Sequence, residues 1–191
     1  MGEVVKGGIF KPCCRTIRYS QITGALRHQY GTIDIHACGY LDADEGVNRV
    51  EYLIYSPRDR GIGTSKLPLQ VEYLTHVRGR VFVVAGGAAD KLSPQLSIGM
   101  GAMLSKGFGN CRLTRVDEPK SLVPVHGTLK TRIPLGHAER FGIRHVFGPV
   151  HGYLYEPAPA DPMGPGEYVL SLFEGSEVMA PACLIDRRQH G

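Results

Sequence analysis

The 191-residue chain contains no tryptophan, and aromatic residues make up only 8% of it. No apolar run comes close to the roughly 20 residues that a helix needs to span a bilayer. The first residues, MGEVVKGGIFKP, lack the long apolar segment of a secretory signal. We therefore expect a soluble, cytoplasmic protein that makes no contact with a membrane.

Metal sites and disulfides are not predicted either. The five cysteines form no C-x-x-C pair and have no histidine at zinc-finger spacing, which favours reduced thiols. Asp42, Asp44 and Glu45 lack the spacing of a calcium-binding loop. We expect the histidines of the glycine- and proline-rich region to be surface imidazoles rather than zinc ligands; they are His126, His137, His145 and His151.

The charge of the chain is unevenly distributed along its length. The net charge is only +4, but residues 103–145 carry eight basic and three acidic residues. Residues 146–186 carry six acidic residues and no Lys or Arg. This split favours contact with a polyanion on one side of the molecule and with a different neighbour, such as a protein, on the other. Solvated loops of mixed sign are the alternative.

The pattern of apolar residues up to residue 116 predicts strand, helix, strands, helix and strand. A helix is expected from Ser20, as N-cap, to a stop at Gly31, and a second one from Ser93 to Leu104. The predicted strands are 4–10, 33–37, 50–55, 67–75, 79–85 and 111–116, with hairpins joining 33–37 to 50–55 and 67–75 to 79–85.

This order is that of the βαββαβ ferredoxin-like, or RRM-like, fold, so we predict an α+β domain over residues 1–116. Residues 117–191 are punctuated by Pro and Gly and contain only short apolar runs. We predict that they form a small β-rich C-terminal extension rather than a second full domain.

The most specific segment is Leu96 to Leu113, LSIGMGAMLSKGFGNCRL. Glycine allows backbone amides to approach phosphate oxygens closely, and Lys106 would add positive charge beside them. A Rossmann or P-loop glycine motif lies between a strand and a following helix. Here Gly107 and Gly109 are expected after a helix and before a strand, so no nucleotide cofactor is predicted.

These segments resemble those of the RAMP superfamily of CRISPR-associated proteins. The segment 96–113 is similar to their glycine-rich loop, and Ile22 to Arg27, ITGALR, resembles the G-[ST]-x-[IL]-[RK]-G-A-[LI]-R run of their first helix. Leu69 to Ala85 resembles the hairpin that precedes their second helix. The resemblance covers residues 1–116, but Tyr19-Ser20-Gln21 replaces the first Gly-Ser of the helix motif.

The resemblance implies a ferredoxin-like fold and a role in binding CRISPR RNA (crRNA). It is nearest to the subunit that caps the 5′ handle of crRNA in type III or type IV class 1 effector complexes. Such a subunit would contact crRNA, a backbone RAMP subunit and a large subunit, without a cofactor. The implied RNA-binding residues are Arg15, Arg18, Tyr19, Arg27, Lys106, Gly107, Phe108, Gly109 and Arg112.

Two other functions remain open. Some members of this superfamily cleave precursor crRNA without a metal ion, using His or Tyr with Lys as general base and acid. His28 would be the catalytic candidate here, but no histidine has an obvious second acid or base beside it in the sequence. We therefore predict a non-catalytic subunit. The third hypothesis is an assembly module that contacts only protein through its acidic C-terminal part.

Overall fold

A computed structural model describes residues 9–58, 61, 63–64, 67–86, 91–101, 104–116, 122–156 and 166–186. The described part is mostly β, with one α-helix, α1 (Tyr19–Tyr30), and short 3₁₀ segments at Leu104–Lys106, Leu135–Phe141 and Ala182–Leu184. The strands are β1 (Phe10–Lys11), β2 (Ile35–Leu41), β3 (Arg49–Tyr55), β4 (Leu69–Thr75), β5 (Gly79–Ala85), β6 (Gln95–Gly99), β7 (Asn110–Thr114), β8 (Pro124–Leu129), β9 (Ile133–Pro134), β10 (His145–Gly148), β11 (His151–Glu156), β12 (Glu167–Leu172), β13 (Glu177–Pro181) and β14 (Ile185–Asp186). No helix in these residues is long and apolar enough to cross a membrane.

Helix α1 forms in the predicted segment and ends at Gly31 as predicted, but its N-cap is Arg18 and not Ser20. Its buried face consists of Tyr19, Ile22, Thr23 and Leu26, which recur at helical spacing. Gly31 ends the helix in the left-handed conformation, with φ of 62°, which glycine adopts without a steric penalty.

The predicted ferredoxin-like fold is wrong. The described residues of the segment predicted to be its second helix do not form an α-helix. Gln95–Gly99, the core of that prediction, is strand β6. Leu96 and Ile98 point inward while Gln95, Ser97 and Gly99 are exposed, so the apolar residues follow the two-residue period of a strand. Several small sheets replace the single four-stranded sheet that a βαββαβ fold requires.

Both predicted hairpins are also wrong. Strand β3 pairs antiparallel with β4, from Arg49 opposite Thr75 to Tyr55 opposite Leu69. Strand β2, the most deeply buried strand of this region, pairs instead with β5. Strand β3 therefore pairs with the strand that follows it in the sequence, and β2 and β5 pair with each other although β3 and β4 lie between them in the chain.

Two compact units divide the chain. The first comprises residues 1–15, 41–80 and 99–110, and its three-stranded sheet has the order β1-β4-β3, with β1 parallel to β4. On one face of this sheet, Glu51 accepts hydrogen bonds from the hydroxyls of Tyr73 and Thr75, at 3.0 and 2.8 Å.

The second unit comprises residues 16–40, 81–98 and 111–191, so it takes segments from both predicted domains. Its sheets have the orders β10-β13-β8-β14 and β11-β12-β9. Its core cluster is drawn largely from the C-terminal part of the chain, joined by Tyr19 of α1 and Cys38 of β2. Thr131 ties the two parts together, because its hydroxyl donates to the backbone carbonyl of Gly39 at 2.8 Å.

Candidate functional site

Helix α1 and strand β2 are fastened together around His36 in the second unit. The Thr23 hydroxyl donates to the carbonyl of Ala37 and accepts from its amide, each at 3.0 Å. One turn later, Nε of Arg27 donates to the carbonyl of Ile35 at 2.8 Å. Because the residues on both sides of His36 are held in this way, its side chain is aimed at the buried face of α1.

Three further side chains surround His36, and we call Tyr19, Arg27, His36 and His137 the histidine cluster. The Tyr19 hydroxyl lies 2.5 Å from Nδ1 of His36, and a terminal nitrogen of Arg27 lies 3.4 Å from the same atom. A guanidinium can only donate, so Nδ1 is the acceptor and the neutral ring carries its proton on Nε2. The tautomer of His36 thus follows from its neighbours.

His137 completes the cluster from the 3₁₀ segment Leu135–Phe141. Its ring stacks on Tyr19, with centroids 5.3 Å apart and planes 22° apart, and it lies 4.8 Å from the ring of His36. Phe141, from the same segment, packs edge-on against Tyr19. The ring of Tyr19 is therefore enclosed by protein, and only 2% of this residue is exposed.

The electrostatics of the cluster keep both imidazoles neutral at pH 7. Burial, Arg27, His137 and Arg140 together lower the pKa of His36 to about 4. Burial, Arg140 and Arg27 also lower the pKa of His137. Burial raises the pKa of Tyr19 to about 12, so this hydroxyl keeps its proton. The guanidinium groups therefore supply the positive charge of the site.

Glu156, at the end of β11, is an unusual carboxyl close to this cluster. Burial raises its pKa to about 7, although the charge of Arg27 acts in the opposite direction. Within the described residues, its Oε1 atom and Nδ1 of His137 are buried without a hydrogen-bond partner. Such atoms are uncommon in native proteins, and in a cluster of titratable groups they mark a candidate for ligand binding.

The glycine-rich loop predicted to bind RNA lies in the first unit. Gly107 and Gly109 have φ of 84° and 79°, as the prediction of left-handed glycines requires. The amide of Gly107 already donates to the carbonyl of Leu104 at 3.0 Å, and the carbonyl of Gly109 accepts from the amide of Met100 at 2.8 Å. Phe108 packs edge-on against Tyr73. These contacts account for the loop conformation without a ligand.

The other predicted RNA-binding residues divide between the two units. Arg15 is in the first unit and exposed, and the side chain of Lys106 lies outside the described residues. Arg18, Tyr19, Arg27 and Arg112 are in the second unit, where Arg112 is exposed on β7. Tyr19 and Arg27, both predicted to bind RNA, lie together against His36. His28, the predicted nuclease candidate, is exposed on α1.

Sequence reasoning missed His36, His137, Arg140 and Glu156. The prediction of a surface imidazole at His137 is wrong, because this ring stacks in the cluster. One signal was available for His36: it stands in the apolar run IHACGY, where a buried imidazole requires a polar partner. The chain matches no family model, no curated protein and no solved structure.

Proposed function

We propose that this chain binds RNA as a non-catalytic subunit of a CRISPR ribonucleoprotein, holding the 5′ handle of the crRNA at the end of the backbone filament. The observation that carries the RNA-binding part is the geometry of the histidine cluster, in which a terminal nitrogen of Arg27 lies 3.4 Å from Nδ1 of His36 and Nδ1 of His137 is buried without a hydrogen-bond partner. The CRISPR assignment comes from the resemblance of the glycine-rich loop and the first helix to the RAMP superfamily.

A phosphodiester is the ligand that this chemistry favours. Guanidinium groups bind phosphate through charge-assisted hydrogen bonds, and neutral imidazoles add N–H donors. Arg27 is held in place by its bond to Ile35, so little of its side-chain freedom is lost on binding. The exposed Arg140 would supply the outer contact. A bound phosphate would reverse the effect of both arginines and raise the pKa of His137.

The hydrogen bonds of His36 support a binding role over catalysis. A general base needs a free lone pair, but Nδ1 of His36 accepts from Tyr19 and Arg27. Its Nε2 carries a proton, so this nitrogen can donate a hydrogen bond to a ligand but cannot take up a proton. Tyr19 holds its own proton too firmly to act as a base, since its pKa is raised to about 12.

Metal-independent RNA cleavage is the second candidate, and the state of His137 is what favours it. Nδ1 of His137 is buried without a partner, and the ring lies 4.8 Å from His36. In this alternative His137, not His28, would remove the proton from a 2′-hydroxyl. Labelled repeat RNA incubated with EDTA tests it: a 2′,3′-cyclic phosphate product that His137→Ala abolishes and His28→Ala preserves would replace our proposal.

RNA binding itself is tested with labelled repeat RNA over a range of salt concentrations. We expect log Kd to rise linearly with log salt, because bound phosphates release counterions. Arg140→Gln should weaken binding and reduce the salt slope by about 1. Arg49→Gln, which removes an exposed arginine from the first unit, is the control and should bind like wild type. A salt-independent interaction, or none, would favour the assembly module that contacts only protein.

A further inference from the structure

Glu156 places a carboxyl group on the core-facing side of the β11–β12 hairpin. Along β11, Tyr153 and Tyr155 are exposed and Leu154 is buried. Glu156 shares the side of Leu154, because residues two apart on a strand point the same way. Its Oε1 atom is buried and has no hydrogen-bond partner among the described residues. An ionised carboxylate is costly to bury without a partner, so this position favours the protonated acid.

Arg27 is a cation whose charge acts on this carboxyl. Its guanidinium is held against two uncharged groups, the carbonyl of Ile35 and the neutral ring of His36. Within the part of the chain that the structure describes, Arg27 forms no ion pair, unlike Arg132, which pairs with Glu174 at 2.7 Å. The charge of Arg27 is therefore balanced by no anion while the neighbouring carboxyl keeps its proton.

The carboxylate of Glu156 and a phosphodiester would compete for this charge. Each carries one negative charge, and a guanidinium pairs with either. While Glu156 is protonated, a phosphodiester meets the uncompensated charge of Arg27. Once Glu156 is ionised, that charge is balanced, and an incoming phosphate meets a like charge in a place where water screens it poorly. A bound phosphate would in turn raise the pKa of Glu156, because a like charge disfavours ionisation.

The surrounding groups leave Glu156 free to act in this way near pH 7. The described groups that titrate or carry charge beside Glu156 and in the cluster that it adjoins are Arg27 and Tyr19 of α1, Glu167 of β12, His36 of β2, and His137 and Arg140 of the 3₁₀ segment. Tyr19 keeps its proton, with a pKa raised to about 12. The pKa of His36 is lowered to about 4 and that of His137 is also lowered, so both rings are neutral above pH 7. Burial raises the pKa of Glu156 to about 7.

We propose that Glu156 couples RNA binding at the histidine cluster to the uptake of a proton, so that the site holds a phosphodiester while Glu156 is protonated and releases it when Glu156 is ionised. This regulation rests on the RNA binding proposed above. Glu156 acts through Arg27 and is not itself a ligand of the phosphate. Binding is then strongest below pH 7 and weakens as the pH rises through 7, because the complex keeps a proton that the free protein loses.

The test measures Kd of the full chain for labelled repeat RNA at pH 6 and pH 8, at one salt concentration. With the pKa of Glu156 at about 7 in the free protein and its proton retained in the complex, this group makes Kd about tenfold larger at pH 8 than at pH 6. Glu156→Gln should therefore bind about tenfold more tightly than wild type at pH 8 and equally at pH 6. Glu167→Gln, which removes the exposed carboxylate opposite Glu156, is the matched control and should have the same ratio to wild type at both pH values.

Calorimetry counts the proton directly and does not depend on the folding of a variant. Wild type is titrated with the same RNA at pH 7.5 in two buffers that differ in ionisation enthalpy. We expect Glu156 to contribute an uptake of about 0.7 proton for each bound chain, which Glu156→Gln should lack. RNA binding without proton uptake, or with the same pH dependence in Glu156→Gln and wild type, overturns this inference and leaves the proposed function standing. Absence of RNA binding at both pH values overturns both.

Discussion

His36 and Glu156 give the stability of this protein opposing dependences on pH. Burial and nearby cations lower the pKa of His36 from 6.5 to about 4. The contribution of His36 to the free energy of unfolding is therefore fully present above pH 6.5. It is lost as the pH falls towards 4, because His36 takes up a proton in the unfolded chain but not in the folded chain. Burial raises the pKa of Glu156 from 4.5 to about 7. The contribution of Glu156 to the free energy of unfolding is present below pH 4.5. It is lost as the pH rises towards 7, because Glu156 releases its proton more readily in the unfolded chain.

The two effects have similar sizes. At about 1.4 kcal/mol for each pKa unit, each residue changes the free energy of unfolding by about 3 kcal/mol over its full range. Between pH 6.5 and 4.5 both groups change the free energy of unfolding with pH, in opposite directions, so their effects nearly cancel in the wild-type chain. We expect His36→Gln to become more stable relative to wild type as the pH falls through this window, and Glu156→Gln to become less stable.

Urea unfolding followed by far-ultraviolet circular dichroism measures these free energies, since the chain has no tryptophan for fluorescence. The quantity of interest is the difference between each variant and wild type at several pH values, which removes the contributions of other groups. Gln at position 36 retains an acceptor for the Tyr19 hydroxyl. If the difference curves of the two variants run parallel, or both are flat, the burial assigned to these two groups is incorrect.

Two substitutions test the packing around the candidate site and the glycine-rich loop. Tyr19→Phe removes the hydroxyl bonded to His36 and should lower the free energy of unfolding by about 1–3 kcal/mol, whereas Tyr52→Phe, at an exposed position, should have almost no effect in the same urea assay. Gly109→Ala should destabilise the protein more than Gly107→Ala in thermal unfolding. Both positions have positive φ, but a Cβ at Gly109 would collide with the backbone oxygen of Met100, while Gly107 has open space.

The elements that sequence reasoning placed well are those with local causes. Helix α1 has its apolar residues at helical spacing and a glycine at its end, and both signals lie within one segment. Strands β3, β4 and β5 were predicted within two residues of their bounds for the same reason. Their partners were not, because the apolar pattern of a strand does not say which other strand it pairs with: β3 pairs with β4, and β2 pairs with β5.

The predicted second helix shows how a strong start signal can mislead. Ser93 and Pro94 form a favourable helix start, but such a signal says nothing about the residues that follow it. Gln95 to Gly99 alternates between polar and apolar positions, and glycine lowers helix propensity by about 1 kcal/mol. The two-residue period of the apolar residues outweighs the helix start signal, so this segment forms a strand. Without the second helix the ferredoxin-like fold cannot form.

Strand β11 shows why the candidate site could not be assembled from local patterns. Its alternation turns Tyr155 to the exposed side of the hairpin and Glu156 to the other side, where the charge of Arg27 acts on it. Arg27 and Glu156 are far apart in the sequence, and His137 reaches the same place from a third segment. Each of these residues looks ordinary among its neighbours in the chain. Only the packing of α1, β2, β11 and the 3₁₀ segment together removes them from water, and that loss of solvent is what shifts their pKa values and makes the cluster a candidate site.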